Sequence, residues 1–264
     1  MGREADRRGD APGALSRAGW IALVDGADPT IRAVTASVPR SSLAGVPGVP
    51  ETALEPQVVD RLPEVAPAAP WDLELQALVW FGRPAPTPAR VLPSPLRANA
   101  PVLARSGGLV RYLDTPVGAH AEALGEEVLW HGGTVGAHVP FMAVDSPLSL
   151  VGGRTNWALP KTLASFEGDP VRDRAMTARG EAWEIRARAT VLGPPLPYWV
   201  GFALLQVWPG GGVRRATGRM RGRARPALLT VEVSGGADLR RCVGAGSFLG
   251  AIVERAWGRL DAPI

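Results

Sequence analysis

Lysine is almost absent from this chain. Of its 29 basic side chains 28 are arginine, and Lys161 is the single lysine in 264 residues. A guanidinium stays charged at any accessible pH and cannot act as a neutral amine. A lysine amine can lose its proton in a dry pocket and attack a carbonyl. Codon bias in a Gly-, Ala-, Pro- and Arg-rich chain accounts for the missing lysines, but not for the one that survives. Cysteine is equally scarce. Cys242 stands alone, which excludes an intramolecular disulfide and fits a reducing compartment. The histidines are His120, His131 and His138, with no HExxH or HxxxH spacing, so no metal site is expected. No apolar run approaches the ~18 residues a bilayer span requires. The charged opening, with only a short apolar stretch near Trp20, lacks a signal-peptide core. A soluble, cytoplasmic protein with no membrane partner is expected.

Tryptophan is abundant where tyrosine is not: nine against two. Eight of the nine lie beyond residue 70, which places the folded mass there. Residues 1–66 mix Arg, Asp, Ala, Gly and Pro without sustained periodicity, and "SSLAGVPGVPETALEP" reads as a linker. The expected organisation is a poorly structured N-terminal extension, 1–66, followed by one domain, 67–264. The formal net charge is only +4. Arg219, Arg221, Arg223 and Arg225 alternate, so a strand would carry them on one face. No aromatic residues are interleaved for base stacking, so an exposed face or a subunit contact is expected rather than a nucleic-acid partner.

From Pro70 the pattern is mainly strand. Alternating or apolar runs cover 71–81, 108–113, 119–130, 134–144, 173–179, 181–192, 197–208, 212–223 and 227–233. The final stretch, 247–260, suits helix or strand equally. Asp145 or Ser146 can cap a short helix with Pro147 in its first turn and Gly152-Gly153 at its end. Many short strands and few helices predict a mainly β architecture, a closed or partly closed barrel, rather than a βαβ fold.

The segment "VPFMAVDSPLSLVGGRTNWALPKTLASFEG" resembles the acetoacetate decarboxylase superfamily. The matching positions are an apolar strand ending in Asp145, a short helix, Gly153-Arg154, then Trp157, Pro160 and Lys161. Upstream, "DTPVGAHAEAL" resembles the family stretch that carries an active-site glutamate. This aligns Glu122 with that glutamate, or Glu126 or Glu127 if a gap intervenes, and sets His120 in place of an aromatic residue. "PWDLELQALVWFGRP" and "VLPSPL" resemble the family's first strand and its following turn. The likeness runs from about Pro70 to the C-terminus and is specific only in the Gly-Arg to Pro-Lys segment.

The resemblance implies a barrel with an interior pocket and a homo-oligomer. It also implies Schiff-base chemistry on a small carbonyl compound, most simply decarboxylation of a keto acid, without cofactor or metal. Lys161 would be the nucleophile and Glu122 would orient substrate or handle a proton. A lysine at its reference pKa of about 10.4 is protonated at neutral pH, so the implied amine is held neutral by burial or by a nearby cation. Arg154 would lend positive charge to the pocket, brace its wall or pair with Asp145. Trp157 and Phe141 would form pocket walls or core. His120 and Cys242 are expected to be packing residues.

Three positions depart from the family pattern. Thr162 stands where a second lysine is usual. The first strand carries Glu74 and no arginine, the nearest being Arg83. A second family glutamate falls near Gly108. A Schiff-base aldolase or dehydratase, or a non-catalytic binding barrel, fits the same residues.

Overall fold

A computed structural model describes residues 40–85, 91–97 and 101–264. Trp20 and the first 39 residues of the expected extension lie outside them. Eleven strands form one sheet. Strands β1 (Trp71–Gly82), β2 (Val102–Asp114), β3 (His120–His131) and β4 (Thr134–Val144) run as an antiparallel meander. β4 meets β9 (Leu196–Val207) in a parallel bridge at Ala137 and Leu204. β9, β10 (Val213–Ser234) and β11 (Gly246–Leu260) continue antiparallel, and β11 pairs with β1 to close the ring. The far half of β10 carries β8 (Glu184–Val191), β7 (Ala175–Arg179) and β6 (Ser165–Asp169), and the buried residues of β7 and β8 share one core with those of β1–β4. The mainly β, closed architecture expected from the pattern is present.

Two runs read as separate strands, 212–223 and 227–233, are one. Proline inside a strand removes a ladder donor. Pro226 sits where β10 leaves β9, after Ala224, and takes up β8, from Ala227. The Pro226 carbonyl, which accepts from the Leu192 amide, faces that gap. Its missing N–H therefore has no strand to face. The ambiguous stretch 247–260 is strand, paired on both sides.

The expected linker is packed chain from residue 40 onward. It forms α1 (Arg40–Ala44), a 3-10 turn (Pro50–Thr52) and α2 (Pro56–Val59). Leu43, Val46, Val49, Val59, Leu62 and Ala66 are buried. Its apolar residues are small and irregularly spaced, so no period shows in the sequence. Leu43, Leu62 and Ala66 share a buried cluster with Val144, Leu150 and Val151. Two further short helices are α3 (Ser94–Arg97), outside the site, and α4, described next. The last, α5 (Ala237–Val243), covers the main apolar core with buried Leu239, Cys242 and Val243.

The helix before the lysine, α4, runs Pro147–Trp157, through the glycine pair expected to end it. The Ser146 hydroxyl caps it by accepting from the Ser149 amide at 3.2 Å, while Asp145 accepts from the Ala121 amide at 2.7 Å. Helix α4 ends at Ala158, in the left-handed region at φ 51°, with Pro160 two residues on. Gly152 and Gly153 are there for close contact. A Cβ on Gly152 would lie 2.4 Å from the Trp71 ring, and one on Gly153 would lie 2.5 Å from Cδ and Cε of Lys161. Lys161 then opens β5 (Lys161–Leu163), parallel to β4 with Met142 as its partner.

Candidate active site

Side chains alternate along β3. Ala121 and Ala123 enter the main core, while Glu122 and Leu124 face the interior of the ring, where Leu124 packs against two apolar clusters. Glu122 meets Lys161 there. Lys161 Nζ lies 2.8 Å from Glu122 Oε2 and donates to Ser149 Oγ at 2.9 Å. The relative exposures of Lys161, Glu122, Ser149 and His120 are 4%, 3%, 0% and 8%, so the centre is essentially dry. Glu122 Oε1 accepts the Tyr112 hydroxyl at 3.0 Å. Ser149 Oγ lies 3.0 Å from His120 Nε2, and His120 Nδ1 lies 3.0 Å from the Gly118 carbonyl. The His120 and Tyr112 rings stack, with centroids 4.6 Å apart and planes at 23°. Five residues from four elements thus form a closed circuit around one amine.

The hydrogen bonds fix their own direction. The Gly118 carbonyl can only accept, so His120 Nδ1 carries the proton. Burial, followed by the Lys161 charge, lowers the His120 pKa and favours the neutral ring. Its Nε2 is then bare and accepts from Ser149, whose oxygen accepts from Lys161. Burial, followed by the Glu122 charge, pushes the Tyr112 hydroxyl well above the usual phenol range, so it stays a donor.

Arg154 does not point into this circuit. Its Nε donates to the Lys161 carbonyl at 2.7 Å, and its two terminal nitrogens donate to the carbonyls of Leu43 and Thr52. Burial lowers its pKa to about 10, which still leaves it charged at neutral pH. Of the roles expected for it, bracing is the one this geometry provides. Trp157 lies edge-on to Trp71, bonds the Asp261 carbonyl, and shares an apolar cluster with Met142, the strand partner of Lys161. Phe141, one residue away from Met142, points the other way into the main core against Trp183. It is therefore not a wall of the lysine centre. Thr162 is buried beside the lysine.

Sequence reasoning reached Lys161 and Glu122 and missed Ser149, Tyr112 and the part His120 plays. Ser149 and Lys161 are twelve residues apart with a helix between them, and no linear pattern ties them together. The position of His120, two residues before Glu122 on an alternating strand, was the available signal.

Two more glutamates lie on β3. Glu126 is part-buried, accepts the Ser106 hydroxyl at 2.6 Å, and is raised by desolvation against that bond. Glu127 is wholly buried, and neither carboxyl oxygen has a hydrogen-bond partner among the described residues. Desolvation pushes it up to about 7. Its register partner His138 gives Nδ1 to the Leu205 carbonyl at 3.0 Å. Burial lowers His138 to about 4.

A cleft of ≈ 490 Å³ is lined by Trp199, Arg219, Arg221, Trp257 and Arg259 among others, and shares no residue with the lysine centre. Arg221 pairs in register with Trp199 on one side and Trp257 on the other. The arginine row is thus flanked by aromatic residues from neighbouring strands, which the linear sequence does not display. Among the described residues, no helix is long and apolar enough to cross a membrane.

No protein-family model matches the chain, and no curated protein matches it in sequence. Solved structures do. Acetoacetate decarboxylase from Legionella pneumophila superposes with a TM-score of 0.53 at 14% identity, over 75% of this chain and 87% of that one. The enduracididine biosynthesis enzyme MppR superposes with a TM-score of 0.52 at 15% identity, over 82% and 92%. MppR complexed with pyruvate also gives 0.52, at 14% identity, over 82% and 95%. At such identities the likeness speaks for architecture alone. The chain has an acetoacetate decarboxylase-like fold.

Proposed function

We propose that this protein is a lyase-like enzyme that forms a Schiff base between Lys161 and a small keto acid, with decarboxylation as its reaction. The observation that carries this reading is the chain's one lysine, buried inside the ring and held by Glu122 at 2.8 Å and Ser149 at 2.9 Å. A surface lysine has no need of such partners, and burying an ion pair is costly unless its hydrogen bonds are satisfied. The likeness to decarboxylases supports the same reading.

In this reaction the amine of Lys161 adds to the ketone carbon, and water leaves to give the iminium. The bond to the neighbouring carboxylate breaks, its electron pair moves into the iminium, and CO2 departs. The resulting enamine takes a proton on carbon, and water releases the ketone and the free amine. Glu122 is the resting counter-ion and, once the imine forms, a carboxylate beside the reacting nitrogen. Tyr112 holds it in place. Arg154 is committed to three backbone carbonyls, so another group, or a backbone donor, must meet the substrate carboxylate. A second reading is condensation of a pyruvate-type keto acid through the same iminium. It is favoured by the likeness to MppR, which has been seen with pyruvate.

A single lysine makes the test clean. Incubation with acetoacetate or pyruvate and cyanoborohydride should raise the intact mass by one reduced adduct, mapping to Lys161, and Lys161→Arg should abolish it. Release of CO2 from acetoacetate separates decarboxylation from condensation. An unaltered mass for the native chain with every keto acid overturns the reading.

A further inference from the structure

The proposed imine chemistry leaves one question open: how a buried ammonium sheds its proton. Glu122 Oε2, at 2.8 Å, can take a proton from Lys161 directly, and a second, neutral base is reached on the Ser149 side of the amine. That base is His120, whose Nε2 accepts from the Ser149 hydroxyl. Its Nε2 is reached from Lys161 through one hydroxyl, with steps of 2.9 and 3.0 Å.

We propose that Ser149 and His120 form a proton relay that neutralises Lys161 for attack and returns the same proton when the carbinolamine dehydrates, an inference that rests on the Schiff-base reading. In the first phase Lys161 passes one Nζ proton to Ser149 Oγ as Ser149 passes its own to His120 Nε2. One N–H and one O–H bond break, and one O–H and one N–H bond form. The products are a neutral amine, an intact hydroxyl and an imidazolium. In the second phase the amine has added to the carbonyl. The imidazolium proton travels back through Ser149 to the departing hydroxyl, which leaves as water. The iminium forms and His120 is neutral again. The sum is ammonium plus ketone giving iminium plus water, with no net proton exchanged with solvent.

Three features suit the relay to this work. The Gly118 carbonyl fixes the tautomer so that Nε2 faces the serine. The Tyr112 ring fixes the imidazole plane. The Ser146 cap and the first turn of α4 fix the serine. The charged and titratable groups around His120 are Lys161 on β5, Glu122 on β3, Tyr112 on β2 and Asp145 at the end of β4. Burial and then the Lys161 charge oppose protonation of the ring, while Glu122 and Asp145 favour it.

Ser149 touches the reacting nitrogen, whereas His120 acts through it, so the test needs a pH profile as well as a rate. The probe is 2,4-pentanedione, a diketone whose adduct with an amine is a stable, absorbing enaminone. The wild-type adduct rate should fall as pH drops through the lowered imidazole pKa, because an imidazolium cannot accept. His120→Gln and Ser149→Ala should each slow the adduct by roughly 100-fold, the usual scale of general acid–base assistance. His120→Gln should also lose the imidazole limb of the profile. Ser149→Thr, which keeps the hydroxyl, should recover most of the rate, and circular dichroism checks that each variant is folded. Wild-type rates and an unchanged profile in both His120→Gln and Ser149→Ala overturn the relay while leaving imine formation standing. Absence of an adduct in the wild type overturns imine formation and the relay with it.

Discussion

Two buried polar centres lie on the same strand, five residues apart, and they are built to opposite standards. Around Glu122 every carboxyl oxygen, the amine, the hydroxyls and both imidazole nitrogens have a partner. Around Glu127 neither carboxyl oxygen has a hydrogen-bond partner among the described residues, and only the Arg105 charge counters its burial. Glu127 becomes tolerable by taking a proton, and its pKa rises to about 7. The Glu122 centre keeps its groups in fixed, directed contacts. Satisfying a buried network takes residues from several elements, each in one rotamer. Directed contacts of this kind are present in one place and missing in the other.

The sharpest way to break this contrast is to remove one partner of the ion pair. Glu122→Leu leaves a buried amine unpaired and should cost about 3–5 kcal/mol in urea denaturation. The double variant Glu122→Leu/Lys161→Met should recover most of that loss, since the cost lies in the orphaned charge. Equal destabilisation of the single and double variants would mean that the pair is not coupled.

Glu127 should behave in the opposite sense. Its pKa is raised on folding from 4.5 to about 7, so its protonated form favours the native state. That contribution is complete below the unfolded value and is lost as pH rises through about 7. Glu127→Gln should therefore be more stable than wild type at about pH 8, by on the order of 1–3 kcal/mol, and no more stable at about pH 4. His138, whose lowered pKa removes stability as pH falls, acts in both proteins and cancels in the difference. A pH-independent difference would show that Glu127 is solvated. Tyr112→Phe is the mildest change. It removes one hydrogen bond to a charged group and should lower stability by about 1–2 kcal/mol in the same assay.

What the sequence disclosed follows from range. Strand alternation is a local property, and β1, β3, β4 and β8 are legible from it. The lysine and the glutamate were legible because each sits in a short segment of recognisable pattern. Partners contributed by distant elements were not. Arg154 reaches carbonyls at residues 43 and 52, and nothing near position 154 announces this. Phe141 and Met142 are neighbours in sequence but face opposite sides, so an apolar run cannot tell which of them attends the lysine. The arginine row of β10 looked bare of aromatics until β9 and β11 set Trp199 and Trp257 beside Arg221.

The guanidinium of Arg154 has a practical corollary. It ties the backbone of Lys161 to two points of the stretch before residue 53. Gly48 lies so tightly on Pro160 that a single added carbon would sit 2.6 Å from the proline ring. Anyone trimming the protein at residue 67 to keep only its recognisable part would cut away the seat on which Lys161 rests.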